Sequence, residues 1–186
     1  SQANLGKVND PALTAFLGVR RGVILANAGK FSEALAAYQQ SAAIFDRVGE
    51  ERNKGVALMN AADSLWRINR PEDAKNMLNQ AEGIFSKEDF TAGLDFALEQ
   101  RGQIDLAEGN REAGMAKLST ALDAHKVAGR WYNAAALSMQ LGGMEEEAGN
   151  GTAARLRYEE AEQLFGKLGL EDRRIAAKDA AEAIKS

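Results

Sequence analysis

His125 is the single histidine of this 186-residue chain, and there is no cysteine to stand beside it. A lone imidazole without a second His or a thiolate cannot complete a zinc site or a nucleophile–base pair. The remaining groups suited to acid–base work or hard-cation binding are carboxylates, of which Asp105 and Glu145 stand forty residues apart. Arg101 precedes Asp105 by four residues, so the spacing predicts a helical ion pair instead. The stretch "LGGMEEEAGNG" is glycine-rich, but it follows no strand pattern and lacks the phosphate-loop spacing. It reads as a helix end followed by a turn. Catalysis, a metal site and a cofactor are not indicated, and the chain is read as a non-enzyme.

The elements that carry these residues recur with a period of forty. Counting units from residues 15, 55, 95 and 135, the eighth position is Gly22, Ala62, Gly102 and Gly142. The fifteenth is Gly29, Asn69, Gly109 and Gly149, and the twentieth Ala34, Ala74, Gly114 and Ala154. The twenty-fourth is Tyr38, Leu78, Leu118 and Tyr158; the twenty-seventh Ser41, Ala81, Ala121 and Ala161. The thirty-first is Phe45, Phe85, His125 and Phe165, so His125 stands in a packing column. No gap interrupts the register.

Small residues at eight, twenty and twenty-seven let two helices approach closely. Gly or Asn at fifteen suits a left-handed residue that ends one helix and opens a tight turn. Helix-start signals follow: Ser32 and Glu33, Pro71 with Glu72 and Asp73, and Thr152. Large residues at twenty-four and thirty-one form the apolar stripe of a second helix, which a glycine at thirty-five (Gly49, Gly129, Gly169) then closes. Asp10-Pro11 caps the first helix. An isolated helical pair cannot bury its stripe, so the units must stack. The segment "EDRRIAAKDAAEAIKS" reads as a terminal capping helix, with Ile175, Ala176, Ala180 and Ile184 inward and Arg174, Lys178, Glu182 and Lys185 facing water. Residues 1–9 read as a linker or the end of a preceding segment, and 10–186 as the repeat domain. Its repeats span about 15–54, 55–94, 95–134 and 135–174, with a cap at 171–185.

Bulk properties narrow the partners. A net charge of −4 gives no general attraction to nucleic acid or anionic lipid. No apolar run approaches the roughly 20 residues of a membrane span. The opening "SQANLGKVNDP" has neither an initiator Met nor a signal h-region, and reads as an excised or processed start. The compartment is therefore unknown from sequence, with the cytoplasm favoured.

The segments "GKFSEALAAYQQS", "NRPEDAKNMLNQA", "GNREAGMAKLSTA" and "GNGTAARLRYEEA" resemble the core of the tetratricopeptide repeat, in a forty-residue variety with a longer second helix. The resemblance covers residues 10 to 185. It implies an all-α, right-handed α-solenoid of nine helices: four helix-turn-helix repeats and a C-terminal capping helix. It also implies a concave groove lined by the first helix of each unit. Carried over, the groove takes Phe16, Val19 and Val23 from the first unit and Met59, Asp63, Trp66 and Arg67 from the second. The third gives Phe96, Glu99 and Gln103, and the fourth Met139, Glu146 and Glu147. Trp66 beside Met59 and Arg67 has the composition of a binding hot spot, although the ring could equally complete the core. The carboxylate clamp of chaperone-binding members would need Lys and Asn where Val19 and Val23 stand; only Asn60 matches.

The implied function is a protein–protein interaction module that holds a peptide or helical segment. Its partner would be apolar in the middle, with basic residues to meet the acidic end. The alternative is the sensory or regulatory domain of a larger bacterial signalling protein, whose effector lies outside the fragment. Self-association by end-to-end stacking is a third reading.

Overall fold

The computed structural model describes residues 10–184. Residues 1–9, read above as linker or preceding segment, and Lys185 of the expected cap lie outside them. Two compact units divide the chain, residues 1–97 and 98–186. The described residues form nine helices and no strand. The first unit holds α1 (Pro11–Asn27), α2 (Phe31–Val48), α3 (Glu51–Arg67), α4 (Pro71–Lys87) and the start of α5 (Thr91–Ala107). The second holds the rest of α5, then α6 (Arg111–Val127), α7 (Trp131–Glu147), α8 (Gly151–Lys167) and α9 (Glu171–Ala183).

Helix starts fall at 11, 31, 51, 71, 91, 111, 131, 151 and 171, so the forty-residue period halves. The cause is a pair of left-handed columns. The first is Gly29, Asn69, Gly109 and Gly149, at φ between 60° and 85°. The second is Gly49, Asp89, Gly129 and Gly169, at φ between 51° and 78°. At every turn the next amide reaches back to the preceding helix, as Lys30 N does to Leu25 O (2.9 Å) and Arg70 N to Leu65 O (2.9 Å). This six-to-one bond satisfies a carbonyl that the helix end would leave open. Because the turns are evenly spaced, first and second helices differ by at most one residue: α3 and α4 each have 17, α1 has 17 and α2 has 18. At the start of the described chain, Asp10 accepts from Ala12 N and Leu13 N and Pro11 occupies the first helical position.

Within each hairpin the small columns face large side chains. A Cβ on Gly22 would run into the Tyr38 ring, and one on Gly142 into the Tyr158 ring. Gly102 and Gly114 instead meet through each other's backbone carbonyl, under Leu118 and Leu106. In the first unit Ala34, Leu35, Tyr38, Ala61, Leu65 and Ala74 form one buried cluster. In the second, Leu118, Ala121 and Leu122 of α6 pack with Leu137 and Leu141 of α7 and Phe165 of α8.

The terminal helix is rotated from the expected face. Ala177, Ala181 and Ile184 are buried, whereas Ile175 is 44% exposed and Ala176 is exposed. The surface of α8 offered by Ala161, Leu164 and Phe165 is already bulky, so it admits alanine and turns Ile175 outward. Arg174, expected in water, is half-buried and bonds Glu162 (2.9 Å) and Glu171 (2.5 Å).

Glu160 of α8 ties three helices of the second unit. It accepts from Lys126 Nζ at 2.5 Å, Ser138 Oγ at 2.9 Å and Arg157 at 3.3 Å. Burial alone would raise its carboxyl, but the bonds from Lys126 and Ser138 outweigh that and hold it below its ordinary 4.5. A depressed carboxyl stabilises above its unfolded pKa, and that stability is lost as pH falls through the folded value. In urea titrations at several pH values, Glu160→Gln should be less stable than the wild type at neutral pH. The gap should close as pH drops below 4.5.

Ala74 and Ala121 are both 0% exposed. Ala74→Leu and Ala121→Leu should each destabilise by about 1–3 kcal/mol through overpacking. Thermal or urea unfolding checks this, and an unchanged midpoint in either would remove that column from the helix contact.

Candidate functional site

In the first unit the expected residues sit on α1, α3 and the first turns of α5, where second-helix packing leaves them in different states. Phe16 is 45% exposed, with its ring edge-on to Phe45 at 5.1 Å. Val23 is 42% exposed. Val19 is half-buried against the cluster of Ala34, Leu35 and Tyr38. Met59 is only 8% exposed, so it offers a partner little surface. Trp66 is half-buried and packs against the same cluster, as do Ile68 and Met77. Its ring therefore does core work whatever else it does. Phe96 is half-buried.

Asp63 and Arg67 form an i,i+4 ion pair at 3.6 Å, with side chains 43% and 58% exposed. At that exposure the pair adds little to stability. Arg67 also lies over the Phe31 ring, 5.9 Å from its centroid. Burial, with Asp63 nearby, pushes the Tyr38 hydroxyl up to about 12, so it stays a neutral phenol under the glycine of α1.

In the second unit, the expected residues are joined by polar bonds. Gln103 Nε2 donates to Gln140 Oε1 at 2.7 Å, and Gln140 Nε2 returns to Gln103 Oε1 at 2.9 Å. This reciprocal pair links α5 to α7 and uses one N–H and one lone pair of each amide. Glu99 Oε2 lies 2.9 Å from Nε2 of His125, which is 0% exposed. Arg130 Nε donates to Nδ1 of the same ring at 2.8 Å. An arginine N–H can only donate, so Nδ1 accepts and the ring proton sits on Nε2, facing Glu99. Met139 packs on the clusters of both Leu137 and Tyr158.

The acidic run is engaged residue by residue. Glu145 accepts from Asn150 (2.7 Å), Glu146 from the Tyr158 hydroxyl (2.8 Å) and Glu147 from Arg111 (3.3 Å). Arg111 also holds the Met144 carbonyl. Burial, then the bond to Glu146, pushes the Tyr158 hydroxyl up to about 12. Glu147 is still 73% exposed and pairs only at the surface. Asp105 takes Lys117 of α6 at 2.5 Å, the ion pair the sequence assigned to Arg101. Asp105 and Glu145 thus serve separate partners. Among the described residues no group of three His, Asp or Glu side chains could hold a metal ion.

Sequence reasoning placed His125 in an aromatic column but missed the Glu99–His125–Arg130 chain of bonds. The available signal was a polar ring where the other repeats have Phe. His125→Ala should cost about 2–4 kcal/mol, from the cavity and the stranded partners. His125→Phe should recover more than half of that loss, because Phe fills the column and Glu99 reaches solvent. Denaturant midpoints of the two variants compare directly.

Residues 13–87 match a family described as tetratricopeptide repeat. No curated protein matches the chain in sequence. Among solved structures it is similar to BtubC (BKLC) from P. vanneervenii, with a TM-score of 0.67 and 16% identity over 86% of this chain and 66% of that one. It is also similar to a Rap protein complexed with competence and sporulation factor, with a TM-score of 0.70 and 18% identity over 92% of this chain and 54% of that one. A structure of nearly identical TPR-like repeats from Podosopora anserina gives a TM-score of 0.53 and 13% identity over 95% and 96% of the two chains. At these identities the likeness shows the fold, an α-solenoid of helical repeats. This chain spans about two thirds of the BtubC chain and just over half of the Rap chain.

Proposed function

We propose that the chain, of which residues 13–87 match the tetratricopeptide repeat family, is a protein–protein interaction module whose partner segment lies along the first helices of the repeats. The observation that carries this reading is an imbalance between the two kinds of helix. The large second-helix columns are consumed by the core: Tyr38, Leu78, Leu118, Phe45 and Phe85 are 0–3% exposed. Of the first helices, α1 keeps Phe16 and Val23 at 45% and 42% exposure, and α3 carries the open Asp63–Arg67 pair. Open apolar side chains together with exposed charges are the composition of a hot spot with a polar rim.

In the second unit the Gln103–Gln140 pair keeps one N–H and one lone pair on each amide. A partner backbone, which carries one donor and one acceptor per residue, can bond to those groups. Glu147 then receives a basic residue at the weak surface pair it makes with Arg111. Few charges are involved, so affinity should fall only modestly with salt. The similar Rap protein was solved with a bound factor, which supports the use of this fold to receive partners.

A second reading, the regulatory domain of a larger signalling chain, draws on the 54% coverage of the Rap protein. It leaves the binding surface the same and differs in what the partner controls. The full-length sequence discriminates between the two.

The test is a pull-down from source lysate with the wild type and two variants, each followed by a melt. Val23→Asp should lose the partner with an unchanged melting temperature, since Val23 is open. Trp66→Ala should weaken binding by about 2 kcal/mol and also lower the melting temperature, because Trp66 packs against the buried cluster of the first unit. Full retention of partner by both variants would move the site off the first helices.

A further inference from the structure

Three side chains at the α6–α7 turn depart from the pattern of the other repeats, each towards apolar surface. Trp131 opens α7 where the other first helices open with Pro11, Glu51, Thr91 and Glu171. Tyr132 follows where they have Ala12, Arg52, Ala92 and Asp172. Val127 ends α6 in a column otherwise filled by Arg47, Lys87 and Lys167. Val127 is 91% exposed, Tyr132 46% and Trp131 37%. The other repeats fold with small or polar residues at these positions, so packing does not require the change. Exposed apolar surface that packing does not require marks an interaction site.

The α8–α9 turn sets two cations against these rings. Lys167 Nζ lies 5.0 Å from the Trp131 centroid, and the Arg173 guanidinium lies 5.3 Å from that of Tyr132. Tyr132 is itself held edge-on to Phe165 at 6.4 Å. Neighbouring basic groups are spent on carboxylates: Lys126 and Arg157 on Glu160, Arg174 on Glu162 and Glu171. Among the described residues neither Lys167 nor Arg173 pairs with a carboxylate, and both are exposed. Leu168 and Leu170, between them in the chain, are 37% and 36% exposed. The rings hold the two cations in place by cation–π attraction, but no anion neutralises them.

We propose that this face of the second unit is a further docking surface, whose occupant is an acidic segment of a partner protein that carries an apolar side chain. Its carboxylates meet Lys167 and Arg173, and its apolar side chain lies on Trp131 and Val127. A bilayer or a nucleic-acid backbone fits less well, since each presents negative charge over a wide area. Asp123, one helical turn before Val127, and Glu171 and Asp172, just before Arg173, are exposed and repel such a surface. A single peptide can direct its few carboxylates to the cations alone. The surface is also distinct from Glu147, which receives the basic residue of the first-helix partner. Trp131 and Glu147 are opposite ends of the 17-residue α7, about 24 Å apart at 1.5 Å per residue.

The probe is a ten-residue peptide with Leu-Phe at its centre, two Asp or Glu on each side and Ser elsewhere, titrated into the isotope-labelled 186-residue chain. It should shift the Trp131 indole N–H resonance and the amides of 127–132 and 167–173, with a weaker effect as salt rises. The same peptide with Lys in place of its acids should shift none of them. Lys167→Glu with Arg173→Glu should lower affinity about tenfold or more, with a nearly unchanged melting temperature because both side chains are exposed. Trp131→Thr, which supplies the residue that Thr91 holds one repeat earlier, should also weaken binding and still fold. No shift at these residues, or affinity that survives the charge reversal, would overturn the proposal. Two further results would replace the occupant and overturn it equally. One is sedimentation with phosphatidylserine–phosphatidylcholine vesicles that Trp131→Thr abolishes, without peptide binding; the other is a dimer in light scattering that Trp131→Thr dissolves.

Discussion

Every hairpin of this protein hangs on a left-handed residue placed at twenty-residue intervals. That backbone conformation costs an ordinary side chain 1–2 kcal/mol and glycine almost nothing. Six of the eight turn positions are accordingly glycine, with Asn69 and Asp89 at the others. The turn fixes where each helix ends, the six-to-one bond satisfies its last carbonyls, and the next helix starts in the same phase. Columns of small and large residues can meet only because this phase is kept. Tyr38 fits over Gly22 and Tyr158 over Gly142 for that reason.

With the second helices spent on packing, variation is left to the first helices and to the few columns that depart from the pattern. The second unit departs most. Its His125 replaces an aromatic hydrocarbon with a ring that must be bonded on both sides, and Glu99 and Arg130 supply those bonds. Glu160, Lys126 and Ser138 form a comparable junction among α6, α7 and α8. Buried polar junctions of this kind add little net stability but penalise any misalignment of the helices that share them.

The repeat, the turns and the buried columns were legible in the sequence because they depend on residue size and backbone freedom, which recur at fixed spacing. Side-chain orientation was less legible. Ile175 was expected inward on hydrophobicity, yet the surface of α8 admits Ala177 and Ala181 instead. The polar links were invisible because they join residues from different helices: Gln103 to Gln140, Asp105 to Lys117, Glu99 to His125. None of these pairs has a helical spacing, so no local pattern announces it. Met59 and Trp66 show the same limit, since a groove position and a core contact share one helical column.

On the proposed function, partners meet the first helices while the second helices hold the fold. Amide hydrogen exchange, read helix by helix with and without a captured partner, tests it directly. New protection should concentrate in α1, α3, α5 and α7, with α2, α4, α6 and α8 unchanged. Protection confined to the second helices would contradict it.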